Sequence, residues 1–177
     1  MEALIFIVRT LLQVLLVTVF LLRVLLPLVR ADSRNQLSQA VIRLTNPLVL
    51  PLRRVLPPIG KIDTSSIVAL LIVQCATTAT LWLLGAYPGV MTLAQFAYVA
   101  LLSLLVTILQ FYTFAILLYI LLSWIAPGTY SPGAMLLASL CEPVLAPVRR
   151  ILPPIAGIDF SALFVVIGLQ ALYILVT

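Results

Sequence analysis

Residues 45–65 read TNPLVLPLRRVLPPIGKIDTS, and residues 141–161 read CEPVLAPVRRILPPIAGIDFS. The offset is 96 throughout, and from Pro47 to Ser65 the two stretches agree at 11 of 19 positions. The shared residues are Pro47, Pro51, Arg53, Arg54, Leu56, Pro57, Pro58, Ile59, Ile62, Asp63 and Ser65. Their counterparts are Pro143, Pro147, Arg149, Arg150, Leu152, Pro153, Pro154, Ile155, Ile158, Asp159 and Ser161. Apolar bias alone does not place four prolines, two arginines and an aspartate twice in register, so the chain reads as an internal duplication. Gln74 and Gln170, further along, keep the same offset. Upstream the match is weaker: residues 20–27 (FLLRVLLP) align with residues 120–127 (ILLSWIAP) at an offset of 100.

Around each copy the chain is almost wholly apolar. Of its 177 residues 64% are hydrophobic and only 8% charged, against roughly 25% charged in an ordinary soluble domain. That excludes a water-soluble globule, and it excludes disorder, which needs high charge and low hydrophobicity. The run from Thr64 to Cys141 holds no charge over 78 residues, far beyond the ~20 residues of one bilayer span. Four apolar stretches stand out, at residues 3–29, 66–86, 93–126 and 160–177. The third, at 34 residues, is about 51 Å as one straight helix, so it is either a long span or a short interfacial piece followed by a span. The first has an acidic start at Glu2 and too long a run for a signal peptide, so a retained helix is expected.

The expected architecture is therefore an all-α membrane protein with about four transmembrane helices in two parallel repeats. Unit 1 covers residues 1–86 around a proline-arginine loop at 30–65, and unit 2 covers 93–177 around a loop at 127–161. Two spans per unit give both copies the same orientation and put both loops on one side. Eight of the ten basic residues flank or lie between apolar spans, and the connection at 86–92 has none. The positive-inside rule then places the loops in the cytoplasm and both termini outside.

Within each loop, Asn46 and Glu142 precede Pro47 and Pro143, a pattern that suits a helix start. Pro51 and Pro147 should limit that helix to a turn or two, and the pairs Pro57–Pro58 and Pro153–Pro154 should stop it. Asp63 and Asp159 are candidate caps for the following membrane helices, with Ser65 and Ser161 in the first turn. The Pro-Pro turn can also fold one arginine of each pair (Arg53 or Arg54, Arg149 or Arg150) back onto its aspartate. Residues 34–45 read as a short amphipathic segment, with Leu37, Ala40, Val41 and Leu44 opposite Gln36, Gln39 and Arg43. Arg9 and Arg23 should snorkel from the first span. Gln74 and Gln170 suit hydrogen bonds between helices.

The composition mostly subtracts chemistry. There is no histidine, and Cys75 and Cys141 stand 66 positions apart without metal or haem-attachment spacing. No metal site, cofactor or catalytic residue is expected. The net charge of +5 is explained by topology, and no basic run exceeds two residues, so direct nucleic-acid binding is not expected. The partners expected are membrane lipids and an unidentified membrane or cytoplasmic protein, with oligomerisation left open.

The duplicated motif resembles the YggT family, also called the YlmG family, of small bacterial and plastid membrane proteins. The likeness covers nearly the whole chain. It is sharpest at residues 142–161, where EP-x3-P-x-RR-x-LPP is followed by GIDFS, while the first copy carries Asn46 for the glutamate and Lys61 for the glycine. The resemblance implies roles in osmotic-stress tolerance with a link to potassium uptake, in division and nucleoid distribution, and in assembly of a cytochrome complex in plastid relatives. The expected function is a non-enzymatic membrane scaffold or assembly factor that presents the two loops. The alternative is a component or modulator of potassium transport.

Overall fold

The computed structural model describes residues 2–32, 34–57, 63–87, 89–125, 131–151 and 160–177. These residues form six helices and, among them, no strand. They are α1 (Glu2–Leu28), α2 (Gln36–Val55), α3 (Thr64–Leu83), α4 (Leu93–Ile125), α5 (Pro132–Ile151) and α6 (Phe160–Val176). Three of them, α1, α3 and α4, are long and apolar enough to cross a membrane, at 27, 20 and 33 residues. They mark the chain as a membrane protein. The fourth expected span, α6, is as apolar but has 17 residues, about 25 Å at 1.5 Å per residue.

Helix α1 carries a π-helical stretch at Leu11–Val17, where the Thr18 hydroxyl donates to the Gln13 carbonyl at 3.4 Å. Its far end closes with Arg30 at φ 52, and the Ala31 amide donates to the Leu26 carbonyl at 3.0 Å. That is the usual left-handed helix stop, made here without glycine. The link from α3 to α4 uses glycine at both positive-φ positions, Gly85 (φ 78) and Gly89 (φ 75). The Trp82 indole donates to the Gly89 carbonyl at 3.0 Å and pins that turn. Thr92 and Gln95 then form a capping box: the Thr92 amide donates to Gln95 Oε1 at 2.9 Å and the Gln95 amide to Thr92 Oγ1 at 3.3 Å. From there α4 runs as one helix of 33 residues, so the long apolar stretch is not split into an interfacial piece and a span.

The proline-arginine stretches are mostly helix, which corrects the expectation of short pieces starting at Asn46 and Glu142. Helix α2 begins eleven residues earlier, where the Asn35 side chain accepts from the Leu37 amide at 2.9 Å. Helix α5 begins with Pro132 at its first position, and the Ser131 hydroxyl accepts from the Ala134 amide at 3.2 Å. Each runs 20 residues through two prolines, Pro47 and Pro51 in α2, Pro143 and Pro147 in α5. A proline removes only the bond to the carbonyl four residues back. In α2 the buried face formed by Ser38, Val41, Thr45 and Val49 continues past Pro47 and holds the helix there. On the amphipathic segment at 34–45, Val41 is buried while Leu37 and Leu44 are exposed.

Helices α1, α2 and α3 enclose Val17, Phe20, Leu21, Val49, Ala69, Leu70 and Val73, and Leu104, Ile108 and Phe111 of α4 pack against this cluster. Helices α4, α5 and α6 enclose Ala115, Ile116, Cys141, Leu145, Ala162 and Val165. A third cluster, Leu26, Val41, Leu136 and Leu140, joins α2 to α5. There the Asn35 amide group also donates to the Pro132 carbonyl at 2.6 Å. Phe111 packs against all three clusters.

Candidate functional site at the arginine-bearing helix ends

The last turns of α2 and α5 carry Arg53–Arg54 and Arg149–Arg150. In α2 the chain leaves the helix at Leu56, which is extended (φ −116, ψ 95), and the Ser65 hydroxyl donates to the Leu56 carbonyl at 3.0 Å. That bond ties the end of α2 to the start of α3 and buries Ser65 completely. It also brings Arg53 Nη2 within 2.8 Å of Asp63 Oδ2. The same carboxylate oxygen accepts from the Ser66 hydroxyl at 2.9 Å. Asp63 is thus the residue before α3 but makes no side-chain bond to the helix backbone. Its other oxygen, Oδ1, is buried without a partner.

Arg23 of α1 completes this cluster. It is 8% exposed, which corrects the expected snorkelling, and Asp63 and Arg53 are near enough to act on it electrostatically. Burial by itself would raise the Asp63 pKa. The Ser66 hydroxyl and the Arg53 guanidinium outweigh that effect and hold the carboxyl below its usual range. Asp63 is therefore the anion between one interior and one rim arginine. Arg54 is exposed, as are Pro47 and Pro57.

In the second copy the described partners of the arginine lie on α5 and α4. Arg149 Nη1 lies 2.9 Å from Glu142 Oε2, two helical turns back on α5. Its Nη2 donates to the Tyr119 hydroxyl at 3.4 Å, and the guanidinium lies 5.9 Å from the Tyr119 ring centre. Glu142 is therefore an ion-pair partner inside a helix rather than a helix start. Pro143 and Arg150 are exposed, and Ser161 is fully buried like Ser65. Pro58, Lys61, Pro153, Pro154 and Asp159 lie outside the described residues.

The two membrane glutamines separate. Gln74 is 1% exposed and donates to the Thr78 hydroxyl at 3.3 Å, while its Oε1 and the neighbouring Thr77 hydroxyl are buried without partners. Gln170 is exposed on α6. Neither cysteine offers chemistry: Cys75 stands alone on α3, and burial pushes the Cys141 thiol up to about 11 despite Arg149 nearby. Among the described residues no three His, Cys, Asp or Glu side chains gather to hold a metal. Sequence reasoning missed Arg23 and Tyr119, which enter only through helix packing, and Asn35. It also missed the Glu142–Arg149 pair, although the seven-residue spacing puts both on one helix face.

No solved structure matches the chain. Curated relatives do. An uncharacterized Pseudomonas aeruginosa protein is 40% identical over 177 residues, covering 98% of this chain and 88% of its own. An uncharacterized Vibrio alginolyticus protein, named for the proC 3′ region, is 35% identical over 96% of this chain and 91% of its own. The uncharacterized protein YggT of Escherichia coli is 33% identical over 97% and 88%. The family model described as CCB3/YggT matches residues 1–84 and 98–177, and the chain belongs to that family.

Proposed function

We propose that the protein is a non-enzymatic membrane scaffold built of two three-helix units, residues 1–86 and 93–177, that presents the arginine ends of α2 and α5 together. The match of the family model in two stretches supports the two-unit reading. One observation carries the scaffold reading. At each helix end one arginine is held, Arg53 by Asp63 and Arg149 by Glu142, while its neighbour, Arg54 or Arg150, is exposed. Helices α2 and α5 meet near their starts, where Val41 packs with Leu136, Leu140 and Leu26 of α1, and we read their arginine ends as parts of one surface. The positive-inside rule puts that surface in the cytoplasm, and the family's Escherichia coli relative supports a bacterial inner membrane. There it meets anionic lipid headgroups and a protein partner with an acidic surface. Photo-crosslinking residues placed at positions 54 and 150 in living cells test this. Capture of one and the same protein from both positions is expected. Capture of lipid alone would overturn the scaffold.

A second reading, a component or modulator of potassium transport in osmotic adaptation, is favoured by the interior polar group. Gln74, Thr77 and Thr78 are all buried, with Gln74 Oε1 and Thr77 Oγ1 left unpaired. Orphan oxygens in an apolar span are costly and suit a cation or its hydration water. Purified protein in liposomes that moves potassium would favour this reading over the scaffold.

A further inference from the structure

We infer that Arg23 and Arg53 bind the phosphate of one anionic phospholipid where α1 meets the junction of α2 and α3. The site belongs to the first copy of the repeat alone, and it holds whether or not a protein partner docks on Arg54 and Arg150.

Two arginines share one carboxylate at this corner. Asp63 accepts from Arg53 Nη2 at 2.8 Å and from the Ser66 hydroxyl at 2.9 Å, so it neutralises Arg53 and leaves Arg23 over. Arg23 is 8% exposed and lies within electrostatic reach of both, yet its guanidinium makes no hydrogen bond or ion pair among the described residues. The other acid of the same loop, Asp32, is exposed and accepts from the Arg34 amide at 2.8 Å. A guanidinium nine-tenths buried without a counter-ion is costly, because its hydration is lost and nothing replaces it. Arg53 engages Asp63 through Nη2 alone, and its side chain is 45% exposed. The two guanidinium groups thus offer donors to one further anion.

The place and its neighbours select a lipid phosphate. Arg23 stands five residues before Leu28, the last residue of α1, about 7.5 Å, and Asp63 immediately precedes α3. The cluster therefore lies at the membrane edge, where headgroup phosphates are. Phosphate oxygens fit the guanidinium fork, and basic pockets between membrane helices bind such headgroups. Pro27, one turn beyond Arg23 on the same face of α1, is exposed, and so is Leu50, one turn before Arg53 on α2. They give acyl chains an apolar surface beside the arginines, which a free phosphate would not use. The surplus charge is positive and Arg54 stands exposed next to it, so an anionic headgroup fits better than one carrying an ammonium. Within the aligned residues 20–27 and 120–127, Arg23 stands opposite Ser123, which is exposed and donates to the Ile120 carbonyl at 2.7 Å. The second copy has no arginine to match it.

Native mass spectrometry of the purified full-length protein tests this, with phosphatidylglycerol, phosphatidylcholine of the same acyl chains, and inorganic phosphate as probes. The expected result is one phosphatidylglycerol per chain, held about tenfold more tightly than phosphatidylcholine and not displaced by an equal concentration of phosphate. Arg23→Gln should weaken it about tenfold, while Arg150→Gln, an equal change of charge at the other arginine end, should leave it in place. Arg23→Lys keeps the charge but not the fork, and should fall between wild type and Arg23→Gln. The wild-type preference and the lysine variant decide the matter should Arg23→Gln not fold. Equal binding of the two lipids would overturn the anionic headgroup. Displacement by inorganic phosphate would make this a free-anion site and overturn the lipid. No loss in Arg23→Gln, or an equal loss in Arg150→Gln, would mean general attraction to the basic side and overturn the site.

Discussion

Asp63 shows how much one side chain can be asked to balance. It accepts from Arg53 and Ser66 and faces buried Arg23. Asp63→Ala should cost about 2–3 kcal/mol in thermal unfolding in detergent, since it strands a charge in the interior. Arg53 is 45% exposed, so its own coupling to Asp63 is screened to about 1 kcal/mol. A double-mutant cycle on Arg53→Ala and Asp63→Ala should therefore show non-additivity of that size, whereas Arg54→Ala should change stability by less than about 0.5 kcal/mol. The pH dependence follows in sign. A carboxyl held below its ordinary value stabilises the fold above about pH 4, its unfolded value, and loses that contribution as pH falls through the folded one. The acid arm of the melting-temperature profile should flatten in Asp63→Asn. A spacing of ten residues with a Pro-Pro pair between Arg53 and Asp63 already suggests that the chain folds back, so that contact is legible in the sequence. Arg23 is not, because its partners are set by the packing of α1 on the α2–α3 junction.

Helix punctuation explains what the sequence hid at the scale of elements. Asn46–Pro47 and Asn35–Gln36 both resemble helix starts, and the rule that proline ends helices favours the first. The α2 helix begins at the second because its buried face, Ser38, Val41, Thr45 and Val49, runs from the first turn past Pro47, and packing outweighs the backbone bond lost there. The Thr92–Gln95 box, by contrast, was written in the sequence as T-x-x-Q before an apolar run. It alone fixes where the uncharged connection ends and α4 begins. Thr92→Ala should lower stability by about 1 kcal/mol, read as a lower melting temperature. Gly85→Ala should cost about 1–2 kcal/mol, since φ 78 strains a residue with a Cβ although nothing blocks the space around it. The different burial of Gln74 and Gln170 was beyond any repeat argument, because identical residues in register say nothing about which helix has a neighbour.

The whole molecule is held by α4, whose Phe111 touches all three hydrophobic clusters. Phe111→Ala should therefore cost about 3 kcal/mol, the low end for a phenylalanine because the ring is only half-buried. It should also loosen both helix groups together rather than one, which hydrogen exchange on α3 and α6 would register. Orientation is the remaining property of the whole. On the side where α1 ends and α3 begins lie Arg30, Arg34, Arg43, Arg53, Arg54 and Lys61, with Arg149 and Arg150 at the end of α5. On the other side the connection at 86–92 has no charge, and Arg9, exposed about 10 Å in from Glu2, is the lone opposing cation. By the positive-inside rule, eight against one predicts that the basic side lies inside. A reporter active only in the periplasm should then work when fused before Glu2, within 86–92, and after Thr177, and should be silent when fused between α1 and α2. The fusion after Thr177 carries the most weight, because α6 has 17 residues where a span needs about 17–25. Periplasmic activity there makes α6 a fourth crossing and both termini external. A cytoplasmic signal at that end alone would make α6 a helix that enters and does not cross, and the two units would then differ in topology as well as in burial.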